Sequence, residues 1–230
     1  YFHFQTPGMK KLLLCAFTAH SLAAAAQTDS LPSFIKDSLD IYVNRALQEW
    51  KIPGVAVCVV KNGKIALMKG YGVKEMNGSD PVDENTLFMI GSNTKAFTAT
   101  AMAMLEADKK LTLDDKVQKW LPAFTMYDPW VGKEAMLRDL LCHRLGFETF
   151  QGDFMYFDSD LTAKEVMEKM GKLKPKYGFR SKWGYTNSAF AVSGAVIQKA
   201  SGSSWDQYLT EKIFRPLGMD RTLALSAGIN

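Results

Sequence analysis

The sequence predicts an α+β fold, an antiparallel sheet with flanking helices joined to a mostly helical region. Three observations carry this. The valine-rich run 55–60 is separated from the apolar run 65–68 by Asn62-Gly63, a two-residue turn signal, and together they read as a β-hairpin. Ahead of it, Ile35, Leu39, Tyr42 and Ala46 recur at helical spacing. Behind it, residues 96–105 include no charged side chain and turn apolar groups in every direction, the pattern of a helix buried in the middle of a domain.

The elements follow in order. Residues 31–50 form the first helix, which Pro53-Gly54 ends ahead of the hairpin. After the buried helix, residues 111–121 and 134–142 read as short helices joined by a loop containing Pro122 and Pro129. Residues 146–160 are irregular and aromatic, with Phe147, Phe150, Phe154, Tyr156 and Phe157. A helix over 161–170, a basic loop over 172–184 and a helix of small and apolar residues over 189–200 come next. Ser204-Trp205-Asp206-Gln207 resembles a capping box for the last helix.

With 230 residues, 47% of them apolar and 23% charged, the chain has ordinary globular composition and enough length for a substantial core. A formal charge of +4 and no long basic stripe make nucleic acid a poor partner. Met9-Lys10-Lys11, an apolar stretch from Leu12 and a close in Ala24-Ala25-Ala26 before Gln27 match a secretory leader over 9–26. That stretch is too short for a comfortable transmembrane span. Residues 1–8 precede the natural-looking start at Met9 and are set aside as upstream residues. Leu14 before Cys15 fits lipoprotein processing poorly. The protein is thus expected to be exported, periplasmic or secreted. Removing the leader would leave a charge of about +2 and two cysteines, Cys58 and Cys142, expected as buried, unpaired thiols. No cysteine pair has metal-ligand spacing and no cofactor is expected.

Acyl transfer needs a nucleophile, a base beside it and donors for the oxyanion. No Gly-x-Ser-x-Gly elbow occurs, and after leader removal only His143 remains among the histidines, so a histidine-free mechanism is favoured by elimination. Ser92-Asn93-Thr94-Lys95 opens the buried helix. A serine there lies near unpaired amides and the positive end of the helix dipole, and a lysine three residues on shares its face. Such a lysine must find a partner or shift its pKa downward, because desolvation disfavours the charged form. The bland reading of Ser92 and Asn93 is N-capping, which leaves Lys95 unexplained. The pattern alone is weak, since Ser33 and Lys36 match it too, and Tyr42-Val43-Asn44 is a decoy for a second motif, Tyr185-Thr186-Asn187. There a phenolate could take the serine proton and the asparagine amide could bind a substrate carbonyl; the bland reading is a half-buried core tyrosine and an N-cap.

Residues 88–98 (Phe-Met-Ile-Gly-Ser-Asn-Thr-Lys-Ala-Phe-Thr), then Leu140-Leu141-Cys142-His143-Arg144-Leu145-Gly146-Phe147, then Phe179-Arg180 ahead of Tyr185-Thr186-Asn187, then Pro216-Leu217-Gly218-Met219, stand in one order. In that order the stretch from about Leu31 to Thr222 resembles the N-terminal part of the β-lactamase-related serine hydrolases: class C β-lactamases, D-alanyl-D-alanine carboxypeptidases and aminopeptidases, and esterases. The resemblance implies a β-lactamase/transpeptidase-like fold. It implies Ser92 as acylated nucleophile, Lys95 as its activating partner, Tyr185 as general base and Asn187 as a substrate-binding residue. The Ser92 backbone amide would be one oxyanion donor. Gln151 stands where class C enzymes often place a substrate-contacting glutamine, and His143 marks a loop turn, structural in role. The implied substrate is a small molecule or peptide: a β-lactam, a D-Ala peptide or an ester.

The family's third motif, Lys or His, then Thr or Ser, then Gly, has no match after Tyr185. That strand would supply the second oxyanion amide and partner the hairpin, and an isolated two-stranded sheet is marginal. Residues 27–230 are therefore expected to be the N-terminal part of the domain, the C-terminal strands missing and the fragment itself inactive or poorly folded. The alternative function is a non-catalytic sensor or cell-wall-binding protein. Ser92, Lys95 and Tyr185 together argue against it; the missing third motif argues for it.

Overall fold

The computed structural model describes residues 32–156 and 159–225. The expected leader over 9–26 and its cleavage point before Gln27 lie outside the described residues. The chain divides into two units, one ending at Thr86 and one beginning at Leu87.

In the first unit, helix α1 (Leu39–Trp50) follows a wide turn over Phe34–Ser38 and ends where Lys51 takes a left-handed conformation, φ 53°. Strands β1 (Gly54–Lys61) and β2 (Lys64–Gly72) pair antiparallel across Asn62-Gly63, with a bulge between Val59 and Val60. Asn62 and Gly63 both have positive φ, as the tight hairpin turn requires. Alternation decides which face packs. Val55, Val57 and Leu67 gather with Tyr71 against Leu39, Val43 and Leu47 of α1, while Val60, Ile65 and Met68 stay exposed. A polar clamp reinforces the contact: the Tyr71 hydroxyl donates to Asp40 Oδ1 at 2.6 Å, and Lys69 Nζ reaches Asp40 Oδ2 at 2.7 Å. Burial and the Asp40 carboxylate push the Tyr71 phenol up to about 12.

The second unit is helical. Helix α2 (Thr94–Ala107) follows a single turn over Gly91–Asn93. Short helices α3 (Val117–Trp120), α4 (Pro129–Glu134) and α5 (Leu137–Leu141) precede α6 (Ala163–Lys172), α7 (Asn187–Ser201) and α8 (Trp205–Leu209). Helix α7 is the hub, packing against α2, α5, α6 and α8. Gly194 of α7 lies against the Trp205 ring, where a Cβ would stand in ordinary contact at 3.6 Å. Around it Met102, Leu105, Phe124, Leu137, Leu140, Leu145, Phe147, Met170, Ile197 and Leu209 are fully buried. Each such side chain contributes about 1.5–3 kcal/mol by leaving water. Helix starts follow local chemistry: Thr162 Oγ1 accepts from the Glu165 amide at 3.3 Å while Glu165 Oε2 accepts from the Thr162 amide at 2.8 Å. Of the predicted Ser204–Gln207 capping box the Gln207 half forms, Oε1 accepting from the Ser204 amide at 3.4 Å, while the Ser204 side chain makes no cap bond.

Three expectations change. Residues 111–121 are helical only over Val117–Trp120, and the predicted loop holds α4, which Asp128 caps by accepting from the Trp130 amide, with Pro129 opening the first turn. Helix α2 is not buried all round: Thr98, Ala101, Met102 and Leu105 face the core while Ala96, Thr100, Ala103 and Ala107 are exposed. Alanine methyls carry too little apolar area to dictate a side. Cys58 and Cys142 are unpaired as expected, but exposed. Cys58 stands on the outward face of β1, and Cys142 at the C-terminal end of α5.

Candidate active site

The site begins with a glycine. Gly91 has φ 51°, a conformation that costs an L side chain and lets the chain turn sharply into α2. Asn93 turns back on that bend, its Nδ2 donating to the Ile90 carbonyl at 3.0 Å, and neither Ser92 nor Asn93 caps the helix through its side chain. The Ser92 hydroxyl is thereby left for other partners, and it finds two.

Lys95 Nζ donates to Ser92 Oγ at 3.2 Å, from one turn along the same helix face. The Tyr185 hydroxyl donates to the same oxygen. Lys95 also donates to Asn187 Oδ1 at 2.5 Å and lies 4.6 Å from the centroid of the Tyr185 ring and 5.4 Å from that of Phe190. The four residues singled out in the sequence, Ser92, Lys95, Tyr185 and Asn187, thus meet in one cluster. The decoys do not: Ser33 and Lys36 lie in the turn ahead of α1, and Asn44 donates to its own helix at Asp40.

Tyr185 reaches the serine because its segment is pinned on both sides. Its amide donates to Thr149 Oγ1 at 3.2 Å, and its carbonyl accepts from the Phe150 amide at 2.9 Å. The Gly184 amide donates to the His143 carbonyl and the Thr186 amide to His143 Nδ1, each at 3.0 Å. His143 is buried with φ 58°, and its ring stacks on Tyr185. Any Cβ on Gly184 would collide with the Phe147 carbonyl, so glycine is required there. Asn187 is the first residue of α7, after Thr186 in the cap position, and its amide faces Lys95 rather than its own helix end.

Electrostatics favour a reactive tyrosine. Burial alone would raise the Tyr185 phenol, but the hydrogen-bonding Lys95 ammonium and Ser92 hydroxyl outweigh it and hold the group below the ordinary tyrosine range. Burial first, and then the Lys95 charge, lowers the His143 imidazole and keeps it neutral.

Two residues of the cluster were not foreseen in the sequence. Asp153 Oδ2 accepts from Asn187 Nδ2 at 2.6 Å, and Asp153 Oδ1 accepts from the Tyr156 hydroxyl at 2.9 Å. The only local signal was Gly152-Asp153 inside the aromatic loop. Gln151 is spent on that loop: Oε1 accepts from the Glu148 amide at 3.0 Å and Nε2 donates to the Lys174 carbonyl at 2.7 Å. Among the described residues no group of three or more His, Cys, Asp or Glu is placed to hold a metal ion, and no helix is long and apolar enough to cross a membrane.

The cluster thus sets a serine at a helix start between a lysine and a tyrosine, in an α+β frame. The chain belongs to the Beta-lactamase family, whose model matches residues 39–227. It is 30% identical over 202 residues to Protein flp of Staphylococcus aureus (strain MW2), covering 81% of this chain and 38% of that protein. Among solved structures, a class C β-lactamase superposes with a TM-score of 0.70 at 26% identity, over 85% of this chain and 52% of the other. The octameric penicillin-binding protein homologue from Pyrococcus abyssi gives 0.66 at 29% identity, over 79% of this chain and 43% of the other. The fold is therefore the β-lactamase/transpeptidase-like one, and the chain spans between about a third and a half of the length of the relatives it matches.

Proposed function

We propose that the protein is a serine hydrolase that forms an acyl-enzyme on Ser92. One observation carries this: Ser92 Oγ accepts hydrogen bonds from both Lys95 Nζ and the Tyr185 hydroxyl. In the reactive state Tyr185 is the phenolate, stabilised by the Lys95 ammonium. It takes the Ser92 proton as Oγ bonds to the substrate carbonyl carbon and the carbonyl electron pair moves onto oxygen. The Ser92 backbone N–H, at the positive end of α2, is one donor to that oxyanion. Collapse breaks the bond to the leaving group, which departs with the proton from Tyr185. Water then gives its proton to the Tyr185 phenolate as its oxygen adds to the acyl carbon; collapse breaks the bond to Ser92 Oγ, which takes that proton back from Tyr185 and leaves the phenolate ready for another cycle. Asn187 binds the substrate carbonyl.

The substrate is a β-lactam, a D-Ala-type peptide or a small ester. Phe150 and Trp183 flank Tyr185 at 5.4 and 6.2 Å between ring centroids and are 57% and 60% exposed, which favours a substrate with an apolar group beside the scissile bond. The test is labelling of the protein, as its gene encodes it, with a fluorescent penicillin and a fluorophosphonate. An adduct that disappears in Ser92→Ala supports the reading. A folded protein that takes up neither probe overturns it in favour of a non-catalytic binder.

A further inference from the structure

The cluster contains one carboxylate for which the acyl-transfer scheme has no use. Asp153 sits in a short turn, Asp153–Met155, entered through Gly152 at φ 84°, where any Cβ would run into the Leu173 side chain. From that turn both oxygens of Asp153 are engaged: Oδ2 by Asn187 Nδ2 at 2.6 Å and Oδ1 by the Tyr156 hydroxyl at 2.9 Å. Asn187 in turn gives its Oδ1 to Lys95 at 2.5 Å. The chemistry of the two neighbours assigns the amide. A carboxylate can only accept and an ammonium can only donate, so the NH2 end must face Asp153 and the C=O end must face Lys95. An amide held at one end pivots; held at both ends by charged partners it does not, and each bond polarises the other.

We infer that Asp153 is a positioning residue of the acyl-transfer site: by accepting an N–H of Asn187 it fixes that amide with its oxygen on Lys95. The inference rests on the acyl-enzyme reading of Ser92. Asp153 makes no contact with the nucleophile and acts through Asn187. Tyr156 holds the carboxylate at its other oxygen. Burial and the neighbouring Asp153 push the Tyr156 phenol well above the ordinary tyrosine range, so it remains the donor of that bond.

The experiment measures fluorophosphonate labelling rates, at the plateau of their pH profile, for wild type, Asp153→Ala, Asp153→Asn, Asn187→Ala and the double variant Asp153→Ala/Asn187→Ala. Asp153→Ala should slow labelling by about tenfold or more, because the amide is released from one of its two anchors. Asp153→Asn keeps an acceptor for Asn187 and a donor for the Tyr156 oxygen, and should stay within about threefold of wild type. In the Asn187→Ala background, Asp153→Ala should add nothing, since its route to the serine is already gone. A merely structural aspartate would slow both backgrounds by the same factor, and that multiplicative result overturns the inference, as does wild-type labelling by Asp153→Ala. A second readout does not depend on catalysis. The Asn187 side-chain amide signals in a ¹⁵N spectrum, assigned by their loss in Asn187→Ala, should show one proton protected from exchange, and that protection should collapse in Asp153→Ala. Unchanged protection overturns the inference. Absence of labelling in wild type, with the protection present and lost as stated, overturns only the acyl-enzyme reading.

Discussion

The imidazole of His143 lies stacked on the phenol ring of Tyr185, with centroids 4.6 Å apart and planes inclined by 27°. The same imidazole accepts the Thr186 amide on Nδ1 at 3.0 Å. A protonated imidazole has no lone pair left on that nitrogen, so protonation would break the bond and place a cation near Lys95. His143 is thus lowered from the ordinary 6.5, by burial first and the Lys95 charge second. The unfolded chain takes up this proton at a higher pH than the folded one. The stabilising contribution is therefore present above about 6.5 and is lost as pH falls below it toward the folded value. Melting curves across that window should show Tm falling with acid. In His143→Asn, whose amide oxygen can still accept from Thr186 and whose backbone tolerates positive φ, this part of the acid dependence should vanish.

Arg180 grips Asp139 with two bonds, Nε to Oδ1 at 2.8 Å and Nη2 to Oδ2 at 2.7 Å, and Asp139 also accepts the Met136 amide at 2.9 Å. The Asp139 side chain is 6% exposed and that of Arg180 40%. Truncation to Arg180→Ala leaves the carboxylate buried with its backbone partner alone. Because water can reach part of the vacated space, the expected cost is about 2 kcal/mol, below that of a fully buried pair. In a chain of this size that should lower Tm by roughly 5 °C. Arg180→Lys keeps the charge but loses the fork and should recover only part of it.

Acylation should depend on pH through Tyr185. Its phenol lies below the ordinary 10.0, where burial, which raises it, is outweighed by Lys95 and Ser92. The labelling rate should fall as pH drops through that value and the phenolate is lost. Lys95→Gln removes the stabilising cation, so the acid limb should move to higher pH. Asp153→Asn removes an anion that raises the phenol, so the limb should move to lower pH. Tyr185→Phe should cut the rate by about 10²-fold or more at every pH. An unchanged rate there would remove the tyrosine from the mechanism.

Export is expected from the basic start at Met9-Lys10-Lys11 and the Ala24-Ala25-Ala26 close. N-terminal sequencing of protein recovered from outside the cytoplasm should begin at Gln27. A chain that retains Met9 there would contradict the leader.

Much of the site could be read from the sequence because its chemistry is local. Ser92 and Lys95 are three residues apart at a helix start, and Tyr185 and Asn187 straddle another. The hairpin was equally legible, since Asn62-Gly63 dictates its turn. Helix α4 was missed although Asp128-Pro129 gave its start, because two prolines close together read more readily as a loop. The exposed side of α2 was hidden by composition, as a helix of alanines and threonines shows no polar stripe to mark solvent. Asp153 was invisible for a different reason. Its partner Asn187 lies 34 positions away, and no periodicity links a loop carboxylate to a distant helix start.

The bond between Tyr185 and Ser92 joins positions 93 apart in the chain. Closing a loop of that length carries an entropic penalty that local helices never meet. Circular dichroism registers α2 and α7 whether or not Ser92 and Tyr185 have met. Under the acyl-enzyme reading, a probe that reacts only with a competent Ser92 would then count molecules whose second unit has completed its long-range assembly, a fraction that helix content alone overstates.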